Sequence, residues 1–253
     1  MGIDKEEQLL KKRISELAQI CYQRDIPTST DFLNLNEQTI FHSLKRSLPP
    51  VRYVLAGGYE AAERKIVCFL PSYEENMGYL PVKILKIMPI NLKFAEELTH
   101  RDYLGALMNL GIERNMLGDI VINEDGCFIF CLERMADFIS GELRQVRHTS
   151  ISCHIVSDFS CDVRQKYEEI RGSIASPRLD NVLAMVYHSS RNKILPYIQG
   201  EKVFIDGRLT VSPSVQLKGG EIVSVRGMGK FLFSGTEQET RKGRIFVAVK
   251  KYC

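Results

Sequence analysis

The spacing of apolar positions predicts helices and strands in alternation along the first third of the chain. Apolar residues recur every three or four positions in two segments and form short continuous runs in two others. These signals predict two helices and two strands, at residues 5–24, 35–48, 52–56 and 65–70. The second helix is expected to begin at an Asn36 cap and to stop before Pro49. Residues 1–78 are therefore predicted to form a small α/β domain.

The next segment carries the pattern of a second small domain, residues 79–160. Its predicted elements are a strand, a helix, a hairpin, a helix and a strand, at residues 82–89, 99–110, 119–132, 135–143 and 146–155. Thr99 is a plausible N-cap with Asp102 at the third helical position, close to a capping box. This βαββαβ order is typical of a ferredoxin-like or RNA-recognition-like fold, which hosts many functions. Phe128 and Phe130 alternate on one strand, either as core residues or as base-stacking ones.

The C-terminal third has a different pattern, in which two short helices precede a small sheet. Residues 158–172 are polar and charged and are predicted to be a linker helix or an extended connection. Helical spacing then occurs twice, and the dipeptide Asp206-Gly207, which is common in tight hairpins, closes a strand. Residues 174–253 are therefore expected to form a third domain, and the whole chain is predicted to be an α+β protein.

Basic residues are concentrated in this third domain. The formal net charge of the chain is only +3. Residues 171–253, however, carry 14 lysines and arginines against 6 acidic residues, whereas residues 1–170 carry 20 against 25. A surplus of this kind favours a polyanion partner at the C-terminal end, with a solvated basic face as the alternative.

The residues from 178 to 230 resemble the small RNA-binding domain named after small-subunit ribosomal protein four, here called the S-four domain. The resemblance rests on the helix pair, on the Asp206-Gly207 turn where that family usually has Asn-Gly, and on Gly220-Glu221 where it usually has Gly-Asp. It implies RNA contact through the two-helix face. The candidate RNA-binding residues are Arg178, Ser190, Arg191, Lys193, Lys202 and Lys230.

Arg191 is the strongest of these candidates. It stands at the predicted start of the second helix, beside Ser190 as N-cap, where the helix dipole and the guanidinium group both favour a phosphate. Replacement of Arg191 by alanine is expected to abolish most ribosome binding and to leave the fold intact.

Two further strings extend the resemblance over nearly the whole chain. One covers residues 57–65, and the other runs from His100 to Arg114 and continues through 118–120. Together with the S-four-like domain they resemble the YlmH family, named for a bacterial protein encoded near cell-division genes. That resemblance implies a cytoplasmic, non-catalytic RNA-binding factor. Its implied partners are ribosomal RNA on the large subunit and peptidyl-tRNA, in ribosome-associated quality control.

Other functions compete with this interpretation. Arg101 and Arg114 are candidates for a secondary RNA contact, with salt bridges inside a turn as the structural alternative. An RNA-modifying enzyme such as a pseudouridine synthase relative is a second hypothesis, although about 80 central residues are too few for its catalytic domain. A cell-division-linked scaffold is a third.

No catalytic residue, metal or small-molecule cofactor is expected. The seven cysteines lie mostly in apolar runs, which favours buried thiols in a reducing cytoplasm. Cys127 and Cys131 share one face of a predicted strand, which is poor geometry for zinc. The apolar runs are far shorter than the roughly 20 residues of a membrane-spanning helix, so no membrane partner is expected.

Overall fold

The structure, a computed structural model, describes residues 2–74, 78–91, 95–157, 159, 167–239 and 243–252. Its helices are α1 (Gly2–Arg24), α2 (Leu35–Leu44), α3 (His100–Asn109), α4 (Glu133–Glu142), α5 (Leu179–Val186) and α6 (Arg191–Gln199). Its strands are β1 (Thr28–Ser29), β2 (Arg52–Ala56), β3 (Ile66–Leu70), β4 (Val82–Pro89), β5 (Leu117–Asn123), β6 (Gly126–Leu132), β7 (Gln145–Val146), β8 (Thr149–Val156), β9 (Tyr167–Ile174), β10 (Val203–Ile205), β11 (Arg208–Leu209), β12 (Ile222–Val225), β13 (Gly229–Glu239) and β14 (Ile245–Tyr252). The mixed α+β class predicted from the sequence is confirmed.

The chain forms two compact units, residues 1–162 and 163–253. The first unit contains a three-stranded sheet in the order β1-β3-β2 and a five-stranded sheet in the order β5-β6-β4-β8-β7. Both predicted N-terminal domains therefore lie within one compact unit, and their division at residue 78 stays a prediction. The second unit contains one six-stranded sheet in the order β11-β10-β12-β13-β14-β9.

The five-stranded sheet is covered on one face and partly covered on the other. Helices α3 and α4 pack on one face, where Tyr103, Leu107 and Ile139 join the core. The other face packs against the N-terminal segment, because Phe130 and Phe32 are both fully buried in one cluster. Phe128 is also buried, with an exposed fraction of 7%. Both aromatic residues of this strand therefore belong to the core and do not form a base-stacking surface.

Local polar bonds set the start of two helices in the first unit. Helix α2 begins at Asn34, which forms a reciprocal capping box with Glu37. The predicted cap at Asn36 is wrong, because the cap must stand three residues before its glutamate. The prediction for α3 agrees with the structure, since Asp102 accepts hydrogen bonds from the backbone N–H and the hydroxyl of Thr99.

The sheet of the second unit has its helices on one face only. Helices α5 and α6 contribute Val182, Leu183, Val186, Ile194 and Ile198 to a core that the inward side chains of the sheet complete. The hairpin between β10 and β11 turns at Asp206 and Gly207, whose φ angles are 47° and 76°. Positive φ at both positions is the condition of a type I′ turn, as the sequence predicted.

The sixth strand corrects the predicted linker. Residues 167–174 are strand β9, which pairs antiparallel with β14 along its whole length, from Tyr167 opposite Tyr252 to Ile174 opposite Ile245. The start of the third domain at residue 174 was therefore placed too late. Residues 158 and 160–166 lie outside the described residues. Within the described part of the chain, no helix is long and apolar enough to cross a membrane.

Candidate nucleic-acid interface

The N-terminal ends of α5 and α6 are joined by one buried carboxylate. The side chain of Asp180 is 1% exposed and accepts hydrogen bonds from both Arg178 and Arg191. Arg178 binds both carboxylate oxygens, at 3.1 Å from Nε and 3.1 Å from Nη2, and Arg191 binds Oδ2 through two of its nitrogens. Two candidate RNA-binding arginines are thus brought together by an acid that the sequence analysis did not single out.

The position of Asp180 explains its burial. It lies in the first turn of α5 and also accepts from the backbone N–H of Asn181, so its charge faces the positive end of the helix dipole. Burial alone would raise the pKa of Asp180. The hydrogen bonds from Arg178 and Arg191 outweigh that effect and hold its pKa below the usual value. The carboxylate therefore stays ionised at neutral pH, as a buried acid with two cationic partners.

This geometry gives Arg191 a structural role in addition to a candidate RNA contact. Its side chain is 55% exposed, so one part of the guanidinium group faces water while the other binds Asp180. Removal of Arg191 would leave Asp180 with Arg178 as its single cationic partner. The structure therefore predicts that Arg191→Ala also lowers stability, because loss of one partner of a buried charge is destabilising.

Ser190 and Lys193 complete the start of α6. Ser190 is the N-cap residue, as predicted, but its side chain makes no capping hydrogen bond. Lys193 is exposed in the first turn, and its ammonium group makes no hydrogen bond or ion pair with another described residue. The hydroxyl of Ser190, the open side of the Arg191 guanidinium and the ammonium of Lys193 thus come from four consecutive residues, 190–193, at one helix end.

Lys202 and Lys230 lie outside this group at the start of α6. Lys202 follows α6, and its Nζ lies 5.4 Å from the ring centre of Tyr197. Lys230 lies on β13 next to the fully buried Phe231, so it points to the sheet face opposite the helices. The six candidate residues therefore occupy two faces of the second unit.

In the first unit, the two secondary candidates have different surroundings. Arg114 is half-buried and donates to the carbonyls of Leu117 at 2.8 Å and Gly118 at 3.0 Å. Burial, reinforced by the charge of Arg64, lowers the pKa of Arg114 to about 10. These hydrogen bonds of Arg114 are thus to backbone carbonyls, where the structural alternative expected salt bridges. Arg101 is exposed and makes no hydrogen bond or ion pair with any residue that the structure describes, which leaves it as the better of the two candidates for an RNA contact.

Arg101 lines an open cleft of about 640 Å³ between α3 and the segment that follows α4. Arg144 and Arg147 line the same cleft, and Arg147 lies 3.6 Å from Asp102 and 3.8 Å from Glu96. Asp102 and Glu142 also line the cleft, so its three arginines are partly offset by two acids.

The two family-like strings of the first unit meet at Asp119. Its carboxylate accepts from the Tyr59 hydroxyl at 2.8 Å and from the backbone N–H groups of Glu63 at 2.7 Å and Arg64 at 3.1 Å. Arg64 in turn donates to the carbonyls of Leu117 and Phe32. Burial, followed by the charge of Asp119, raises the pKa of Tyr59. These strings thus fasten the N-terminal segment to the five-stranded sheet, a role that sequence spacing alone could not reveal.

The described cysteines are buried thiols. Burial raises the pKa of Cys68 to about 12, that of Cys131 to about 12 and that of Cys153 to about 11, so all three are protonated at neutral pH. Over the described ranges, no three His, Cys, Asp or Glu side chains are grouped so that they could hold a metal ion. Cys161 lies outside those ranges.

Comparisons with known proteins extend over most of the chain. Residues 80–158 match the family model described as "Putative RNA-binding domain in YlmH". The chain is 28% identical over 221 residues to the "Ribosome-associated protein quality control protein P2" of Bacillus subtilis (strain 168). The aligned region covers 85% of this chain and 83% of that protein. A solved structure, "Cell division protein ylmH from Streptococcus pneumoniae", is 21% identical, with a TM-score of 0.49, and covers 60% of this chain and 92% of that one. Residues 80–158 thus match a YlmH-type RNA-binding domain, and the chain as a whole is similar to a protein named for ribosome-associated quality control.

Proposed function

We propose that this protein is a non-catalytic factor that binds ribosomal RNA on the large ribosomal subunit, together with peptidyl-tRNA, in ribosome-associated quality control. An RNA-binding, ribosome-associated role follows from the family-model match and from the relative named for ribosome-associated quality control. The large subunit, the peptidyl-tRNA, the cytoplasmic location and the absence of catalysis are the finer parts of the proposal.

One observation carries the proposal to particular residues. The first turn of α6 presents Ser190, Arg191 and Lys193 to solvent, and Arg178 is held beside them by Asp180. Cations at a helix N-terminus combine side-chain charge with the helix dipole, and both attract a phosphate group. The surrounding residues 171–253 have 14 basic and 6 acidic side chains, so long-range attraction favours the same polyanion.

The arrangement also supports recognition of RNA by shape. Phosphate contacts position a protein on RNA but do not identify the sequence. A rigid pair of helices, fastened at one carboxylate, would present its cations at a fixed spacing, as shape recognition requires. The cleft lined by Arg101 and Arg144 in the first unit offers a second contact, which we assign to tRNA or ribosomal RNA.

Sucrose-gradient sedimentation tests the proposal. The full-length protein should co-migrate with large subunits, and more strongly with those that carry peptidyl-tRNA. Lys193→Glu should reduce that co-migration. Lys12→Glu, the same charge change at a lysine whose side chain is 74% exposed on α1, serves as the matched control and should leave it unchanged. A wild-type protein that stays at the top of the gradient, or equal losses in both variants, would contradict the proposal.

A further inference from the structure

The six-stranded sheet of the second unit has an outer face that no described residue of that unit covers. Helices α5 and α6 occupy the inner face, where Val203, Val223, Phe231 and Val249 are buried. Because successive side chains of a strand point to opposite faces, the neighbours of these residues point outward. Several outward positions hold aromatic side chains, although a sheet face that contacts only solvent needs none.

Strand register aligns these outward side chains in one row. Phe204 lies opposite Ser224, and Ser224 lies opposite Lys230. On the other side, Tyr252 lies opposite Tyr167, and Phe231 lies opposite Lys251, so Lys230 and Tyr252 are neighbours across β13 and β14. We call Phe204, Lys230, Tyr252 and Tyr167 the sheet-face row. With strands about 4.8 Å apart, the row spans roughly 19 Å from β10 to β9.

Each ring of the row has a cation beside it. The Arg226 guanidinium lies 4.9 Å from the ring centre of Phe204, Lys230 Nζ lies 5.1 Å from that of Tyr252, and Lys250 Nζ lies 4.8 Å from that of Tyr167. Tyr167 is 51% exposed. The row therefore alternates π-faces with positive charges that sit on flexible stems.

The charges on this face identify the kind of partner. Glu169, two residues from Tyr167 on β9, and Glu237, farther along β13, both interact with Arg171, which reduces their repulsion of an anion. Unpaired nucleotides offer a base that stacks on an aromatic ring and a phosphate that binds a nearby lysine or arginine. The cations between the rings also interrupt the contiguous apolar area that marks many protein-binding surfaces, which favours RNA as the partner.

We propose that the sheet-face row binds single-stranded RNA, with two or three bases stacked on Phe204, Tyr252 and Tyr167 and with phosphates bound by Arg226, Lys230 and Lys250. This inference rests on the proposed function for the identity of the partner as RNA. It adds a second RNA surface to the same unit, on the face opposite α5 and α6. The helix side would bind phosphates of a folded RNA, and the sheet side would bind an unpaired segment of it.

The test uses the full-length protein with two fluorescent probes, a short oligouridylate and an RNA duplex of equal length. Binding of each is measured by fluorescence anisotropy for wild type, Phe204→Leu, Tyr252→Leu and Phe246→Leu. Phe246 is the matched control, because it is 44% exposed on the same face of β14 but six residues from Tyr252, a distance of about 20 Å along the strand.

Each row variant should weaken oligouridylate binding about 5- to 20-fold, the lower part of the range measured for loss of one stacked base. Binding of the duplex should change less than twofold, and Phe246→Leu should match wild type with both probes. Ultraviolet crosslinking of the oligouridylate should label Tyr167 or Tyr252, because zero-length crosslinks form where a base contacts a ring.

Several results would overturn the inference. These are wild-type binding of the duplex without binding of the oligouridylate, row variants with wild-type affinity, an equal loss in Phe246→Leu, or concentration-dependent self-association that the row variants abolish. Co-migration with large subunits, measured on the same samples, separates the two proposals. If wild type co-migrates and the oligouridylate does not bind, the sheet-face inference fails and the proposed function stands. If wild type does not co-migrate, the proposed function fails.

Discussion

Arg191 and Lys193 lie two residues apart on α6, and the structure predicts different consequences when each is replaced by alanine. Arg191 binds the buried Asp180, whereas Lys193 has no described hydrogen bond or ion pair. Both variants should weaken RNA binding. Only Arg191→Ala should also destabilise the second unit, so the pair separates a structural arginine from a lysine that contacts RNA alone.

The magnitude follows from the surroundings of Asp180. A hydrogen bond to a charged group contributes about 1.5–3 kcal/mol. Arg178 remains as a partner in the variant, and Arg191 is 55% exposed, so solvent screening reduces its share to about 1–2 kcal/mol. For a unit of about 90 residues, that loss lowers Tm by roughly 4–16 °C. Lys193→Ala should lower Tm by less than about 4 °C, because surface substitutions change stability by under about 0.5 kcal/mol.

The stability difference should depend on pH. The pKa of Asp180 is lower in the folded protein than the unfolded value of about 3.9. Its ionised form therefore contributes stability above about pH 4, and this contribution is lost as the pH falls through the folded pKa. The gap in stability between wild type and Arg191→Ala should be full at neutral pH and should narrow below about pH 4.

Amide hydrogen exchange gives the local measurement. The N–H groups of Val182 and Leu183 lie in α5 directly after Asp180, and both side chains are fully buried. Their exchange should accelerate about 5- to 30-fold in Arg191→Ala, the factor that corresponds to about 1–2 kcal/mol. Exchange at wild-type rates, together with a wild-type Tm, would refute the argument that the Asp180 contacts stabilise this helix pair.

Three further predictions concern other parts of the molecule. Fragment 163–253 should unfold cooperatively and bind RNA with poor selectivity for the ribosomal particle. Fragment 174–253 should not unfold cooperatively, because it lacks most of β9. Circular-dichroism melts test the folding of both fragments, and competition with free ribosomal RNA tests the selectivity. The log–log salt dependence of RNA binding should have a slope of about −2 to −4 if three to five phosphates are neutralised, and a flat response would exclude a phosphate-dominated interface. Asp119→Asn should destabilise the first unit by about 1–3 kcal/mol in urea titration, because the partners at Tyr59, Glu63 and Arg64 lose a charged acceptor, and unchanged stability would contradict that role.

The elements that the sequence predicted well are those whose pattern is local. The helix that begins after Thr99, the hairpin at Gly126 and the turn at Asp206 are each specified by a cap, an apolar period or a turn dipeptide within a few residues. The predicted cap of α2 was two residues too late, because Asn34 and Asn36 stand close together and only the structure shows that Asn34 caps the helix.

Strand β9 and the Asp180 cluster could not be predicted, since both depend on distant partners. In β9 only Ile170 and Ile174 are buried, so the segment shows no apolar alternation and reads as a linker. The sequence shows Arg178, Asp180 and Arg191, but not that the acid is buried between two helices. The sheet-face row has the same character, because strand register and not spacing along the chain aligns it.

The pairing of β9 with β14 has a consequence for how the second unit acquires its structure. The paired residues are separated by about 70 to 85 positions, from Ile174 and Ile245 at one end to Tyr167 and Tyr252 at the other. During synthesis, α5, α6 and the short hairpin can form from neighbouring residues. Strand β9 cannot pair until β14 has been synthesised, which happens much later. Closing so long a loop makes this pairing a late and slow step. Until β14 arrives, β9 exposes an unpaired edge, and its three charged residues at Glu168, Glu169 and Arg171 would discourage pairing with other nascent chains.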